Sequence, residues 1–313
     1  MKESKELNIG FQEAITLFLQ DLEAKGKSAL TVKNYKVDLT RFTEWLKEHT
    51  EDGKGYTTPH TPSDIGRITV KDYAQFLKTS GKVAPSTANR RIISLKAFFS
   101  FLHESDVIPS NPTTDLTTKA IQRQNNVKWM TRDEVSRLFH AIETAPHESP
   151  AKKTRDKVIL TLLLNCGLRV SELANLKIND LDLGKGVLTV FSGKGDKFRK
   201  VPMGKATVKA VQSWLKSRKD FSSSDYLLTT RRADRITDRG VQHFFQVLNE
   251  RTGIEVTPHK CRHTFAKQIA DKTGKFEVIA DLCGHSSVET SRIYVTPSMK
   301  ELKRAVEDVE FDG

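Results

Sequence analysis

Apolar side chains at Val32, Tyr35, Leu39, Phe42 and Leu46 recur at steps of 3, 4, 3 and 4, which puts them on one stripe of an α-helix. Phe11 to Leu22 carries a similar stripe ahead of it, with Gly26 placed to close that helix. Thr69-Val70-Lys71-Asp72 reads as the capped start of a third helix bearing Tyr73, Phe76 and Leu77. A fourth, from Ser86 to about His103, turns Ile92, Leu95, Phe98, Phe99 and Leu102 inward. Gly53 to Pro62 is predicted as a loop. The first hundred residues thus predict a small helical bundle, closed by Asn111-Pro112 and followed by the polar stretch Thr113 to Lys128, an expected exposed linker.

The pattern then changes. Thr131-Arg132-Asp133-Glu134 opens a helix with an N-cap and early acids. Thr154 to Asn165 is apolar on nearly every side, the mark of a central buried helix. Val187 to Phe191 and Phe198 to Val201 flank the turn-forming run Ser192-Gly193-Lys194-Gly195-Asp196-Lys197 and predict a β-hairpin. Further helices are predicted at about 207–218, 238–251, 258–271 and 276–282. The expected fold is mainly α with a small β-hairpin or sheet. A helical domain over residues 8–112 is joined by a linker, 113–128, to a mixed α+β domain, 129–313.

With 313 residues, 37% hydrophobic and 29% charged, the chain is too rich in apolar groups for disorder and long enough for two domains. Its longest apolar run, Val158 to Leu164, is far short of the ~20 residues of a membrane span. The charged start Met1-Lys2-Glu3-Ser4-Lys5-Glu6 does not resemble a signal peptide. Three cysteines, Cys166, Cys261 and Cys283, are too few for a disulfide framework, so a cytosolic location is expected.

The net charge of +12 points to a polyanionic partner, although basic proteins without one are common. Both parts are basic: 19 cationic against 15 acidic side chains in 1–130, and 32 against 24 in 131–313. From Tyr73 to His103 no acid occurs, while Lys78, Lys82, Arg90, Arg91 and Lys96 do. That run is either a solvated helix face or, as the absence of carboxylates favours, a phosphate-facing surface. The last 13 residues reverse the sign, with five acids against two bases, as a frayed tail or a helix that docks on a neighbouring subunit.

Four segments could carry chemistry. In Gly167-Leu168-Arg169-Val170-Ser171-Glu172-Leu173, an arginine follows an apolar helix; a helix cap with a surface Arg explains it equally well alone. Lys194 sits at the hairpin tip, where lysines are common. In Thr257-Pro258-His259-Lys260-Cys261-Arg262-His263-Thr264-Phe265-Ala266, Thr257 and Pro258 start a helix, and His259 and Arg262 share a side of its first turn. In Leu282-Cys283-Gly284-His285-Ser286-Ser287-Val288-Glu289-Thr290-Ser291-Arg292-Ile293-Tyr294, a tyrosine stands nine residues after a histidine and could be a core aromatic. A metal site is not expected: on a helix Cys261 points away from the face His259 and His263 would share, and no C-x-x-C or H-E-x-x-H pattern occurs.

Together, in this order and spacing, the four segments resemble the tyrosine recombinases, the phage integrase and Xer-type family, over nearly the whole chain. Cys261 departs from the leucine often found there. The resemblance implies an N-terminal SAM-like helical domain that clamps DNA and a catalytic domain beyond it. It implies that Tyr294 attacks a DNA phosphodiester to form a 3′-phosphotyrosyl link. Arg169 and Arg262 then hold the phosphate oxygens, Lys194 protonates the departing 5′-oxygen, and His259 and His285 bind the phosphate and assist proton movement. Glu172 is the orienting acid. A rigid, always-charged guanidinium fork suits the charge that builds on equatorial phosphate oxygens. By the same resemblance no metal, ATP or other cofactor is needed. The partners would be double-stranded DNA and the chain itself, two copies per site and four in the synapse, with Ser298 to Val309 exchanged between neighbours. An accessory protein or a second recombinase is a further possible partner. Arg231, Arg232, Arg235 and Arg239 are candidates for DNA contact, or a solvated loop. A nucleoid-associated place in a prokaryotic or mobile-element setting follows. The alternatives are a topoisomerase that nicks and reseals, and an idle DNA-binding structural factor.

Overall fold

The computed structural model describes residues 9–50, 61–81, 83–118, 128–146, 149–191, 198–219, 223–230, 232–284 and 289–295. The chain divides into two compact units, residues 1–124 and 125–313.

The first unit holds four helices, α1 (Phe11–Ala24), α2 (Ala29–Thr50), α3 (Arg67–Thr79) and α4 (Pro85–Glu104). The predicted stripe of α2 faces inward. Phe42 is buried amid the rings of Phe11, Trp45, Tyr73 and Phe99, at centroid separations of 5.0–6.4 Å. α1 closes two residues before Gly26, which takes the left-handed conformation expected of a C-cap glycine (φ +68°). α3 begins earlier than predicted. Extended Gly66 serves as its N-cap, behind buried Ile65, so Thr69 lies in the first turn instead of capping it.

Asp38 is the polar exception inside this unit. It is 2% exposed, and it accepts hydrogen bonds from Ser94 Oγ at 2.7 Å and Arg90 Nη1 at 2.5 Å. A charge taken from water needs such partners. The stretch expected as exposed linker starts packed against the bundle. Leu116 joins its core, Lys96 Nζ donates to the Leu116 carbonyl at 2.9 Å, and Asn111 Oδ1 accepts from the Thr113 N–H and hydroxyl. One apolar side chain and an Asx turn hold the chain against the bundle beyond Pro112.

The second unit comprises α5 (Arg132–Thr144), α6 (Pro150–Cys166), α7 (Val170–Asn175), β1 (Leu181–Asp182), β2 (Val187–Phe191), β3 (Phe198–Pro202), α8 (Lys205–Arg218), α9 (Asp238–Thr252), α10 (Pro258–Thr273), α11 (Phe276–Cys283) and α12 (Glu289–Arg292). The two strands predicted for the hairpin pair in antiparallel register from Val187 opposite Pro202 to Phe191 opposite Phe198, and the predicted turn, residues 192–197, lies outside the described residues. β1 pairs with the outer edge of β2 and makes a three-stranded sheet. Two residues are too short to leave an alternation, so β1 was not readable from the sequence.

Thr131 forms the expected capping box with Glu134. α6 is the buried central helix, with every residue from Val158 to Leu164 inside. It stops at Gly167, whose φ of +60° suits glycine and whose missing Cβ leaves room for the Phe265 ring. A smaller apolar cluster of Phe265, Ala266, Ala270, Ile279, Cys283 and Tyr294 binds α10 to α11 and to the stretch after α12. This cluster positions the site.

Candidate active site

The C-terminal end of α11 draws three arginines together. Arg199 Nε donates to the Leu282 carbonyl at 2.9 Å, Arg262 Nη2 to that of Cys283, and Arg169 Nη2 to that of Gly284 at 2.7 Å. The last carbonyls of a helix lack intrahelical partners, and the helix dipole makes that end electron-rich. Three cations from three elements are therefore brought to one point: Arg169 at the N-cap of α7, Arg199 on β3 and Arg262 on α10. Gly284 ends α11 with φ +63°, and a Cβ there would lie 2.9 Å from Arg199 Nη1. Arg262 also donates to the Gly167 carbonyl at 2.5 Å, which links the α6 terminus to the same point.

Glu172 neutralises part of this charge. Its carboxylate, 7% exposed, accepts two hydrogen bonds from Arg199 at 2.8 Å each, one from Arg169 Nη1 at 2.7 Å and one from the Arg169 N–H at 2.8 Å. Burial alone would raise its pKa; the hydrogen bonds and charge of Arg199, with the bonds from Arg169, outweigh burial and hold it at about 2. Arg262 is 6% exposed, and its burial lowers its pKa. Arg169 is the most open of the three, with 39% of its side chain exposed.

Tyr294 is 3% exposed, and its hydroxyl lies 2.5 Å from His263 Nδ1. Burial raises the tyrosine to about 12, helped by the Cys283 thiol and opposed by Arg262. Burial lowers the pKa of His263, as do the neighbouring His259 and Arg262. The side chain facing Tyr294 is thus His263, half-buried one turn beyond His259, which stands exposed on the first turn of α10.

Of the expected catalytic set, Arg169, Glu172 and Arg262 meet at the α11 terminus, and Tyr294 packs against the same helix pair. Lys194 and His285 lie outside the described residues, as do Lys82, Arg231 and the segment Ser298 to Val309. Sequence reasoning missed two residues. Arg199 is one of two adjacent cations on β3, and only the fold brings it to Glu172. His263 had a signal, since four residues from His259 is one helical turn.

The expected contact residues divide. Arg90 is bonded to Asp38, Arg91 Nε lies 3.9 Å from it and Lys96 is bonded to Leu116, so each of the three has a partner inside the first unit. Lys78 is exposed. Arg232, Arg235 and Arg239 are exposed; Arg235 bonds Asn175 and lies over the Tyr226 ring. Among the described residues no group of three metal-ligating side chains gathers, Cys261 is fully buried, and no helix is long and apolar enough to cross a membrane.

Comparison with known proteins matches residues 128–301 to the phage integrase family and residues 15–105 to the phage integrase N-terminal SAM-like domain. Among relatives, a tyrosine recombinase XerA of Thermococcus kodakarensis is 32% identical over 302 residues, covering 96% of each chain. A tyrosine recombinase XerC of Thermodesulfovibrio yellowstonii is 32% identical, covering 92% of this chain and 93% of its own. Among solved structures, XerH bound to its difH substrate before cleavage superposes with a TM-score of 0.72 at 20% identity, covering 93% of this chain and 84% of that one. A lambda integrase dimer bound to a core site gives 0.68 at 17% identity, covering 97% and 80%. The fold is that of these recombinases, and with both parts of the sequence matched the chain belongs to the phage integrase family of tyrosine recombinases.

Proposed function

We propose that the chain is a site-specific recombinase that breaks and rejoins duplex DNA with Tyr294 as nucleophile. The observation that carries this reading is the placement of Tyr294 in one small apolar cluster with α10 and α11, the helices whose residues organise the arginine group. In the reaction the Tyr294 oxygen bonds to phosphorus and the P–O5′ bond breaks. This leaves a 3′-phosphotyrosyl link and a free 5′-hydroxyl. Arg169 and Arg262 hold the non-bridging oxygens, where a preorganised charge needs no reorganisation. Arg169, the most open, is the natural first contact. Lys194 gives its proton to the leaving oxygen, and His259 and His285 bind the phosphate. Glu172 and Arg199 hold Arg169 in place.

The ester keeps the bond energy, so a second 5′-hydroxyl reverses the step without ATP. Duplex DNA is the proposed partner in the cytoplasm, with two copies of the chain on each site and four in the synapse. The two basic units suit a grip on DNA by both. Lys78, Lys82, Arg231, Arg232, Arg235 and Arg239 are assigned to DNA contact, as is the exposed part of Arg90.

The test uses duplexes first selected for binding to the chain, then nicked in turn beside each phosphate of the bound core, in EDTA. The nick lets the short 5′-hydroxyl fragment diffuse away and traps the adduct. The expected result is a 3′-linked protein–DNA adduct that Tyr294→Phe abolishes. Binding without any adduct would overturn the catalytic reading in favour of a structural DNA-binding factor.

A further inference from the structure

We infer that His263 is the base that takes the proton of Tyr294, an inference that rests on the recombinase reading above. The contact is direct: His263 Nδ1 lies 2.5 Å from the hydroxyl oxygen, with the two ring centroids 5.7 Å apart. The direction of the bond follows from the surroundings. The tyrosine is held at about 12, so near pH 7 only about one molecule in 10⁵ would be tyrosinate without help. Its hydroxyl therefore keeps its proton and donates it, and the facing ring nitrogen is an acceptor when the imidazole is neutral. Burial, His259 and Arg262 all favour the neutral ring. His259, Arg262 and Tyr294 act on His263, and Cys283 and Arg262 act on the tyrosine.

A base must lie within hydrogen-bond reach of the proton it removes, and His263 does. It also adjoins Arg262 in sequence, so one helix carries both the proton acceptor and a phosphate ligand. The step balances as follows. The Tyr294 O–H bond breaks and its proton passes to Nδ1, while the freed electron pair forms the O–P bond. The P–O5′ bond then breaks, and the 5′-oxygen takes the Lys194 proton. In rejoining, the His263 imidazolium returns its proton to the tyrosine oxygen. His259, exposed one turn earlier, is left to the phosphate.

The test compares wild type, His263→Ala and His263→Asn for single-turnover adduct formation on the nicked duplex. Asparagine keeps a hydrogen-bond acceptor near the place of Nδ1 but cannot take a proton. Each chain is also given a duplex whose scissile 5′-oxygen is replaced by sulfur, a leaving group that needs no acid. The base role predicts a fall of about 10²-fold or more in both variants, unrestored by sulfur, with duplex binding intact. Full activity in His263→Asn would make the residue a positioning group, and rescue by sulfur would make it an acid; either result overturns the inference. A wild-type chain that binds the duplex but forms no adduct refutes the recombinase reading itself, and this one with it. Should the variants misfold, ¹⁵N imidazole spectra of the wild type and Tyr294→Phe decide the matter. The expected Nδ1 is unprotonated and shifts when the hydroxyl is lost; a protonated Nδ1 overturns the inference.

Discussion

Replacing Glu172 by Gln tests the electrostatic core of the site, because it keeps the side-chain shape while removing the charge and one acceptor oxygen. The carboxylate accepts four hydrogen bonds, three of them from guanidinium groups, and is almost wholly buried. Its pKa falls from 4.5 to about 2, which at 1.36 kcal/mol per unit corresponds to about 3 kcal/mol of preference for the charged form. Breaking a buried ion pair on one side costs a similar ~3–5 kcal/mol. The amide must also turn an N–H₂ toward an arginine that itself only donates. A folded pKa below the unfolded value means stability that is present above pH 4.5 and lost as pH falls toward 2.

Urea unfolding of the full-length wild type and Glu172→Gln, followed from pH 7 to pH 2, measures this. The expected difference is about 3 kcal/mol at pH 7, shrinking below about 1 kcal/mol near pH 2, where the wild-type carboxyl also becomes neutral. Glu143, held at about 2 by hydrogen bonds from Lys153 and Lys157, titrates in the same range in both chains and cancels. A difference independent of pH, or one below about 1 kcal/mol at pH 7, would refute the reasoning.

Two further outcomes are expected. Gly167→Ala combines a left-handed backbone with a Cβ only 2.3 Å from Phe265 Cδ1. It should cost more than about 2 kcal/mol in urea unfolding and slow adduct formation, because the Gly167 carbonyl holds Arg262. Asp38→Asn should loosen only the first unit. Arg90 is 43% exposed and can return to water, so the cost is about 2 kcal/mol. Hydrogen exchange on the full chain should show faster amides in α2 and α4 with α6 unchanged.

What could be read from the sequence is what periodicity and local chemistry write into it. The α2 stripe, the α6 core run, the Thr131 cap and the hairpin strands each depend on neighbours a few residues apart, so each was legible. The start of α3 was misplaced because Thr69 looks like a cap, while Gly66 caps through its extended backbone and leaves no side-chain signal. Lys96, Arg90 and Arg91 read as one basic run. The fold sends Arg90 to a carboxylate 52 residues away and Lys96 to a carbonyl 20 residues ahead. Arg199 shows the same limit at the site. Its partners Glu172 and Leu282 are 27 and 83 residues distant, and nothing within β3 marks it.

Three positive charges do not gather without compensation. Glu172 supplies one full negative charge, and the end of α11 adds a partial one of about half a unit. That leaves the group cationic by more than one charge, an excess that suits a phosphodiester. Because Arg169, Arg199 and Arg262 are fixed by carbonyls of consecutive residues, Leu282 to Gly284, a phosphate would find them already ordered, and little reorganisation would be needed. The same carbonyls lie directly before the residues that lead to Tyr294. Any shift of the α11 terminus therefore moves all three arginines together, and under the proposed function Arg169 and Arg262 among them are the phosphate ligands. A Cβ at Gly284 would meet Arg199 Nη1 at 2.9 Å, so a glycine at the end of α11 is part of what lets the three arginines gather there.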